Sequence, residues 1–180
     1  EFDQILSPGK FVNASLYNIH FSNLPAYKGM YTSALPLIND EKEAGVTLHN
    51  IDSGIDTGDI IDQILFPIDK SDTARGLYEK YLFTSKILLE KNISKLLSGP
   101  VSSMPQSAVD STYFSKKSID YQNIRVNLSC TANQIRNQIR AFTFPEFQVP
   151  KVHGFYVSSA EITDIKSKDK PGTLLKFDEL

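Results

Sequence analysis

Tryptophan is absent from these 180 residues, cysteine occurs once, methionine twice, and neither sign of charge prevails, the formal net charge being −2. Each shortage removes a class of protein. A lone cysteine, Cys130, forms no internal disulfide, so an oxidising compartment is not indicated, and it reads as a small apolar core residue ahead of a reactive thiol. No apolar run approaches the roughly 18 residues of a membrane-spanning helix, so a cytoplasmic protein with no membrane partner is expected. The segment from Tyr113 to Leu180 holds 10 Lys/Arg against 7 Asp/Glu, too mild an excess for affinity built on phosphate contacts, and no nucleic-acid partner is expected. No Cys/His group has metal-ligand spacing and no glycine-rich phosphate loop occurs, so neither a metal nor nucleoside-triphosphate chemistry is anticipated. What remains is an ordinary globular composition, 41% hydrophobic and 22% charged, which suits one domain or one domain with an appendage.

Local patterns supply the elements. Phe2–Leu6 reads as the tail of a buried strand, Lys10–Ala14 as a helical turn and Leu16–Phe21 as a strand. Tyr27–Gly29 is loop-like, and Tyr31–Asn39 is a helix that must accommodate Pro36 early or as a kink. Val46–Asp52 and Ile60–Asp69 are β-rich segments joined by a turn containing Gly54 and Gly58. Thr73–Leu97 is the clearest helix, capped by Ser71 or Asp72, with Leu77, Tyr81, Leu88, Ile93 and Leu96 at helical spacing and Gly99-Pro100 to stop it. Ser98–Ser111 reads as a polar linker. Thr131–Phe142 is a second amphipathic helix, and Val152–Ile162 with Thr173–Phe177 form a β-hairpin around Lys166–Gly172.

Asn18-Ile19-His20 is the first chemical signal. Side chains two apart on a strand project from one face, so an amide donor and a titratable imidazole can share one substrate. Asp56, in Asp52-Ser-Gly-Ile-Asp-Thr-Gly-Asp59, adds a carboxylate able to orient the histidine or take up a proton. These are the parts needed for acyl transfer. Taken alone, His20 is more often a core histidine bonded to a backbone carbonyl, Asn18 a turn cap and Asp56 a turn aspartate. His49 and His153 carry no motif and read as structural.

The run Asn18-Ile-His-Phe-Ser-Asn-Leu-Pro-Ala-Tyr-Lys-Gly29 resembles the N-I-H-x-S-L-L-P-x-Y-[RK]-G segment of the formyltransferases that use 10-formyltetrahydrofolate. Gly45-Val-Thr-Leu-His-Asn-Ile-Asp-Ser-Gly-Ile-Asp-Thr-Gly-Asp-Ile60 is similar to the same family's G-V-T-x-x-x-x-D-x-G-x-D-T-G-D-I. Two long motifs in the expected order carry the resemblance where a lone Asn-x-His would not. Thr112–Tyr121 and Gln138–Phe147 resemble the sugar-nucleotide branch, in particular enzymes acting on a dTDP-4-amino-4,6-dideoxyhexose. The methionyl-tRNA branch, which would read R-A-x-x-P-x-P-G in place of Arg140–Glu146, is the enzyme alternative, and a non-catalytic paralogue that binds sugar nucleotide or dimerises is the third.

The resemblance implies an α/β fold: the C-terminal part of a Rossmann-like formyltransferase domain followed by a small α+β appendage with a β-hairpin. Residues 1–98 would be the catalytic core, 99–111 a linker and 112–180 the C-terminal subdomain. Only 17 residues precede Asn18, so the family's N-terminal portion is expected to be missing from the chain. The implied catalytic residues are Asn18, His20 and Asp56, with Asn18 and protonated His20 on the oxyanion. The implied formyl donor, 10-formyltetrahydrofolate, would lie near Ile5 and Leu6 and along Asp52, Gly54, Ile55 and Asp56. A dTDP-linked aminosugar would meet Tyr27, Lys28 and Tyr31, with Arg140 as a phosphate clamp or Phe144 as a base-stacking ring. A homodimer making N-formylated sugar for surface polysaccharide, such as lipopolysaccharide O-antigen, completes the expectation.

Overall fold

The structure, a computed structural model, describes residues 6–176; the expected strand over Phe2–Leu6 falls outside them except for Leu6, as does Phe177. At its centre is a three-stranded antiparallel sheet in the order β1 (Tyr17–His20), β3 (Glu43–Asn50), β4 (Ile60–Pro67). Between β1 and β3 lie the two-residue strand β2 (Lys28–Gly29) and the single-turn helix α1 (Leu35–Ile38). The longer helix expected over Tyr31–Asn39 is cut short because Tyr31 takes a left-handed φ of 65° and Pro36 fits only the first turn. The expected turn near Lys10 is a 3-10 turn at Pro8–Lys10.

Residue alternation on β3 divides the molecule into two faces. Ala44, Val46 and Leu48 point to one side, where they join Leu77, Tyr81 and Leu88 of α2 (Ala74–Ser98) in the core. Gly45, Thr47 and His49 point to the other, which carries the polar site. Helix α2 is capped by Thr73, whose side chain accepts from the Gly76 N–H, rather than by Ser71 or Asp72, and ends at Gly99 with φ 131°. Ile93, expected inside, is 39% exposed; Asn92 takes the inner position because its amide donates to Asp62 Oδ2 at 2.7 Å and to the Leu88 carbonyl at 2.9 Å.

The segment read as a linker is tied to the sheet. Met104 and Ile60 exchange two backbone hydrogen bonds of 2.8 Å, and β5 (Tyr113–Phe114) pairs in parallel with β2, which turns the loop expected at Tyr27–Gly29 into a short strand. Helix α3 (Ala132–Phe142) starts with a capping box between Thr131 and Gln134 and contributes Ala141 to the same core as the sheet. The hairpin is present but smaller than expected: β6 (Lys151–Val152) and β7 (Phe155–Tyr156) turn at Gly154. No strand forms among the described residues 157–176, where Lys, Ser and Asp prevail and no apolar alternation is available to bury.

Candidate active site

Strand register builds the site. β1 and β3 pair so that Asn18 stands directly opposite His49 and His20 opposite Thr47, which places all four side chains on one face. The register between β3 and β4 then slips at Leu48/His49, and the bulge releases the turn that carries Asp56. That turn closes through the Asn50 N–H on the Asp59 carbonyl at 2.9 Å. A Cβ on Gly58 would collide with the Asn50 carbonyl, so glycine is required for this approach. Asp56 itself adopts φ 55°, a left-handed conformation that aspartate tolerates better than most residues.

The Asp56 carboxylate lies between two imidazoles. Its Oδ2 is 3.4 Å from His20 Nδ1 and its Oδ1 is 3.7 Å from His49 Nε2. The Gly29 N–H donates to Oδ2 at 2.8 Å, which anchors β2 to the turn that carries Asp56. Gly29 has φ 86°, and a Cβ there would strike the Phe114 carbonyl. The Asn18 amide nitrogen is 3.3 Å from His49 Nε2.

Backbone carbonyls dictate both tautomers, because a carbonyl only accepts. His20 Nε2 is 2.8 Å from the Tyr27 carbonyl, so it carries the proton and Nδ1 faces Asp56. The tautomer of His20 is therefore set by the Tyr27 carbonyl, and the carboxylate of Asp56 faces the nitrogen that is free to accept a proton. His49 Nδ1 is 2.7 Å from the Asn50 carbonyl and donates to it, leaving Nε2 to accept from Asn18. His49, read as structural, is thus a member of the cluster. The available signal is its place one alternation beyond Thr47, on the same face of β3.

Burial sets the electrostatics. It is the largest influence on His20 and lowers its pKa below 6.5; Asp56 and the Tyr27 carbonyl pull the value up without cancelling the effect, and His49 adds to the lowering. Burial pushes the Asp56 carboxyl up, but His49, His20 and the Gly29 N–H together outweigh it, and its pKa lies below the ordinary carboxylate value. The site therefore holds a carboxylate facing two imidazoles, and the arrangement is able to take a proton at His20 Nδ1 and share it with Asp56.

Around this cluster the turn is held from two directions. Asp52 Oδ1 accepts from the Gly54 N–H at 3.0 Å and the Thr57 hydroxyl at 2.7 Å, so Asp52 shapes the loop. Ile55 is 40% exposed at its tip. From outside, the Gln106 amide donates to the carbonyls of both Asp56 and Gly58 at 2.8 Å, while its buried Oε1 has no hydrogen-bond partner. A buried acceptor beside an open-tipped loop fits a ligand bearing N–H groups. Leu6 is half-buried ahead of the Pro8 turn, and Ile5 lies outside the described residues. Among the described residues no group of three or more His, Cys, Asp and Glu side chains is placed to hold a metal ion, and no helix is long and apolar enough to cross a membrane.

The five residues expected to contact a sugar nucleotide divide. Tyr27, besides its carbonyl, donates its hydroxyl to Glu41 at 2.6 Å and accepts from Asn39 at 2.9 Å, and burial followed by Glu41 pushes its pKa up to about 12. Lys28 is buried with Nζ donating to the Ser111 hydroxyl at 3.1 Å. Tyr31 donates to the Lys116 carbonyl at 2.7 Å. Arg140 and Phe144 are not brought to the site. Arg140 binds Asn137 and the carbonyls of Asp69 and Asp72 at the opposite end of the sheet, because it is recruited to hold the entry into α2. Phe144 packs against Tyr78 and Phe147.

Comparison with known proteins identifies the family. An N-formyltransferase from Helicobacter canadensis, in complex with folinic acid and dTDP-3-aminofucose, superposes with a TM-score of 0.86 at 44% identity, over 92% of this chain and 61% of the other. A sugar 3N-formyl transferase, WlaRD, with dTDP and 5-N-formyl-THF, gives 0.86 at 45% identity over 92% and 60%. Among curated relatives, the bifunctional polymyxin resistance protein ArnA of Wigglesworthia glossinidia brevipalpis is 35% identical, covering 91% of this chain and 25% of its own length. The methionyl-tRNA formyltransferase of Lactobacillus acidophilus is 32% identical over 92% and 53%. This chain thus spans a quarter to about half of those curated relatives. The formyl transferase family matches residues 1–93, which contain Asn18, His20, His49 and Asp56, and the chain belongs to that family.

Proposed function

We propose that this chain carries the acceptor-activating part of an enzyme that transfers a formyl group from 10-formyltetrahydrofolate to an amino group of a dTDP-linked aminodideoxyhexose. The convergence of Asn18, His20, His49 and Asp56 within 3.7 Å carries this reading. The folate would supply the activated formyl group, held along Asp52–Asp56 with the Gln106 Oε1 as an acceptor. Asn18 retains a second amide N–H for the oxygen of the carbonyl under attack. His20 Nδ1 would receive the proton lost by the incoming amine, Asp56 would steady the imidazolium that results, and as the formyl C–N bond to the folate breaks that proton would pass to the departing tetrahydrofolate nitrogen. His49 holds the Asn18 amide in position. Because both nitrogens of protonated His20 face protein acceptors, the oxyanion role falls to Asn18 rather than to His20.

The position of the amine is read from similarity. The resemblance in sequence points to C4, and a 4-N formyltransferase from Francisella tularensis superposes with a TM-score of 0.70 at 26% identity. The likeness at 44–45% to the two proteins described with 3-amino or 3N chemistry supports C3 instead. Such a product suits the assembly of surface polysaccharide, including O-antigen, in the cytoplasm.

The test uses the intact protein with 10-formyltetrahydrofolate and either dTDP-3-amino- or dTDP-4-amino-dideoxyhexose, reading formylated product by mass spectrometry. Product from the 3-amino sugar is expected. Absence of product from every dTDP-aminosugar, with sugar binding confirmed by calorimetry, overturns the reading. The relatedness to the Lactobacillus enzyme makes methionyl-tRNA the second acceptor to try, and formylation of charged tRNA with none of the sugars would establish that alternative.

A further inference from the structure

A cavity of about 500 Å³ with both charged and apolar lining opens at the other end of the sheet, between the β4–α2 connection, helix α3 and the segment after the hairpin. It is lined by Lys70, Ser71, Arg136, Arg140, Glu161 and their neighbours. Arg140 lines it from α3 while clamping the Asp69–Asp72 connection, whereas the active-site cluster sits around His49. Glu43 and His49 are six residue rises apart on β3, roughly 20 Å along an extended strand. The two sites are distinct.

Positive charge prevails in this cavity. Arg140 is committed to Asn137 and two carbonyls, with Asp40 Oδ1 at 3.8 Å. Arg136 gives one N–H to Asn133 at 2.8 Å, but its buried Nε has no hydrogen-bond partner. A guanidinium N–H left in that state costs free energy that an acceptor would recover. The Arg136 charge also lies close enough to Arg140 to join burial in lowering its pKa. Lys70 is exposed on the rim. The acids nearby are otherwise engaged, Asp69 and Asp72 by Lys80 at 2.7 and 2.6 Å and Asp40 by Lys42 at 2.7 Å. Glu161 is the one carboxylate among the described residues that line the cavity.

We propose that this cavity binds the phosphate of a small phosphorylated molecule, held by Arg136 and Lys70 with Ser71 as a further donor. Guanidinium and ammonium groups around one space suit a tetrahedral polyanion better than a single planar carboxylate. The cavity volume exceeds that of inorganic phosphate and lies within the range of small-ligand pockets, which points to a phosphate attached to an organic group.

Calorimetry on the full chain at low ionic strength tests this with pyrophosphate as the probe and dTDP and AMP as second arms. Saturable binding is expected in the parent protein. Lys70→Ala and Arg136→Gln should each weaken it about tenfold, and Glu161→Gln should tighten it severalfold, with thermal unfolding showing that each variant is folded. Lys70 is exposed on the rim, so its variant keeps the test decisive should Arg136→Gln not fold. Tighter binding of AMP than of pyrophosphate, weakened in the Lys70→Ala protein, would identify the organic group as part of the ligand, whereas dTDP binding unchanged in that variant would belong to the site around His20. Lack of saturable pyrophosphate binding, or equal binding in the Lys70→Ala and Arg136→Gln proteins, overturns the proposal. Binding confined to tRNA overturns it too, since it would assign the surface to a polynucleotide.

Discussion

His20 reports the state of the cluster. Its pKa is lowered mainly by burial and partly restored by Asp56, so NMR titration of its ring protons should give a value below 6.5, and Asp56→Asn should drive it lower still; a rise in that variant would contradict the geometry. A histidine with a depressed native pKa adds stability that is complete above its unfolded value and is lost as the pH falls through the native one. Asp56, also lowered, has the same sign at more acidic pH. Denaturant melts should therefore show stability falling as the pH drops below 6.5, with a smaller fall in His20→Gln. In turnover assays of the intact enzyme, Asn18→Ala is expected to cost on the order of 10²- to 10³-fold in kcat and His20→Gln about 10²- to 10⁴-fold. Asn18 and His20 are legible in the sequence because a two-residue spacing on a strand fixes a shared face. His49 is not, because its position depends on which residue of β1 stands across from it, and pairing register is a property of two segments.

Elements differ in how far local pattern determines them. Helices α2 and α3 are legible to within a residue or two because caps, stops and apolar spacing are local. Asn92 is unreadable inside α2 because its burial depends on a carboxylate, Asp62, 30 residues away. Two glycines make a direct comparison. Gly58→Ala forces a methyl group against the Asn50 carbonyl and should destabilise the fold by about 1–3 kcal/mol. Gly76 lies in the first turn of α2, where an added methyl group would find its nearest neighbour at 3.7 Å, and Gly76→Ala should stabilise by about 0.5–1 kcal/mol. Urea unfolding of both variants checks the pair. Gln106→Ala removes the bridge to two carbonyls of the Asp56 turn and should lower kcat more than it lowers Tm.

At the scale of the whole molecule, polar composition between residues 98 and 111 conceals attachment. Serine and glutamine there suggest solvation, yet the Asn50 side chain donates to the Ser103 hydroxyl, Gln106 bonds the Asp56 turn and Lys28 meets Ser111. The homodimer expected from the sequence would find exposed aromatic rings on the hairpin, Phe155 at 53% and Tyr156 at 71%. Their replacement by serine should shift the mass measured by light scattering from two chains to one, and an unchanged dimer would move the interface elsewhere. The Met104–Ile60 pairing gives protein engineers a practical rule. A peptide tag spliced into the stretch around Met104 would pull on the aspartate turn and silence chemistry several residues away, whereas the same tag placed beyond Val157 would leave the imidazoles undisturbed.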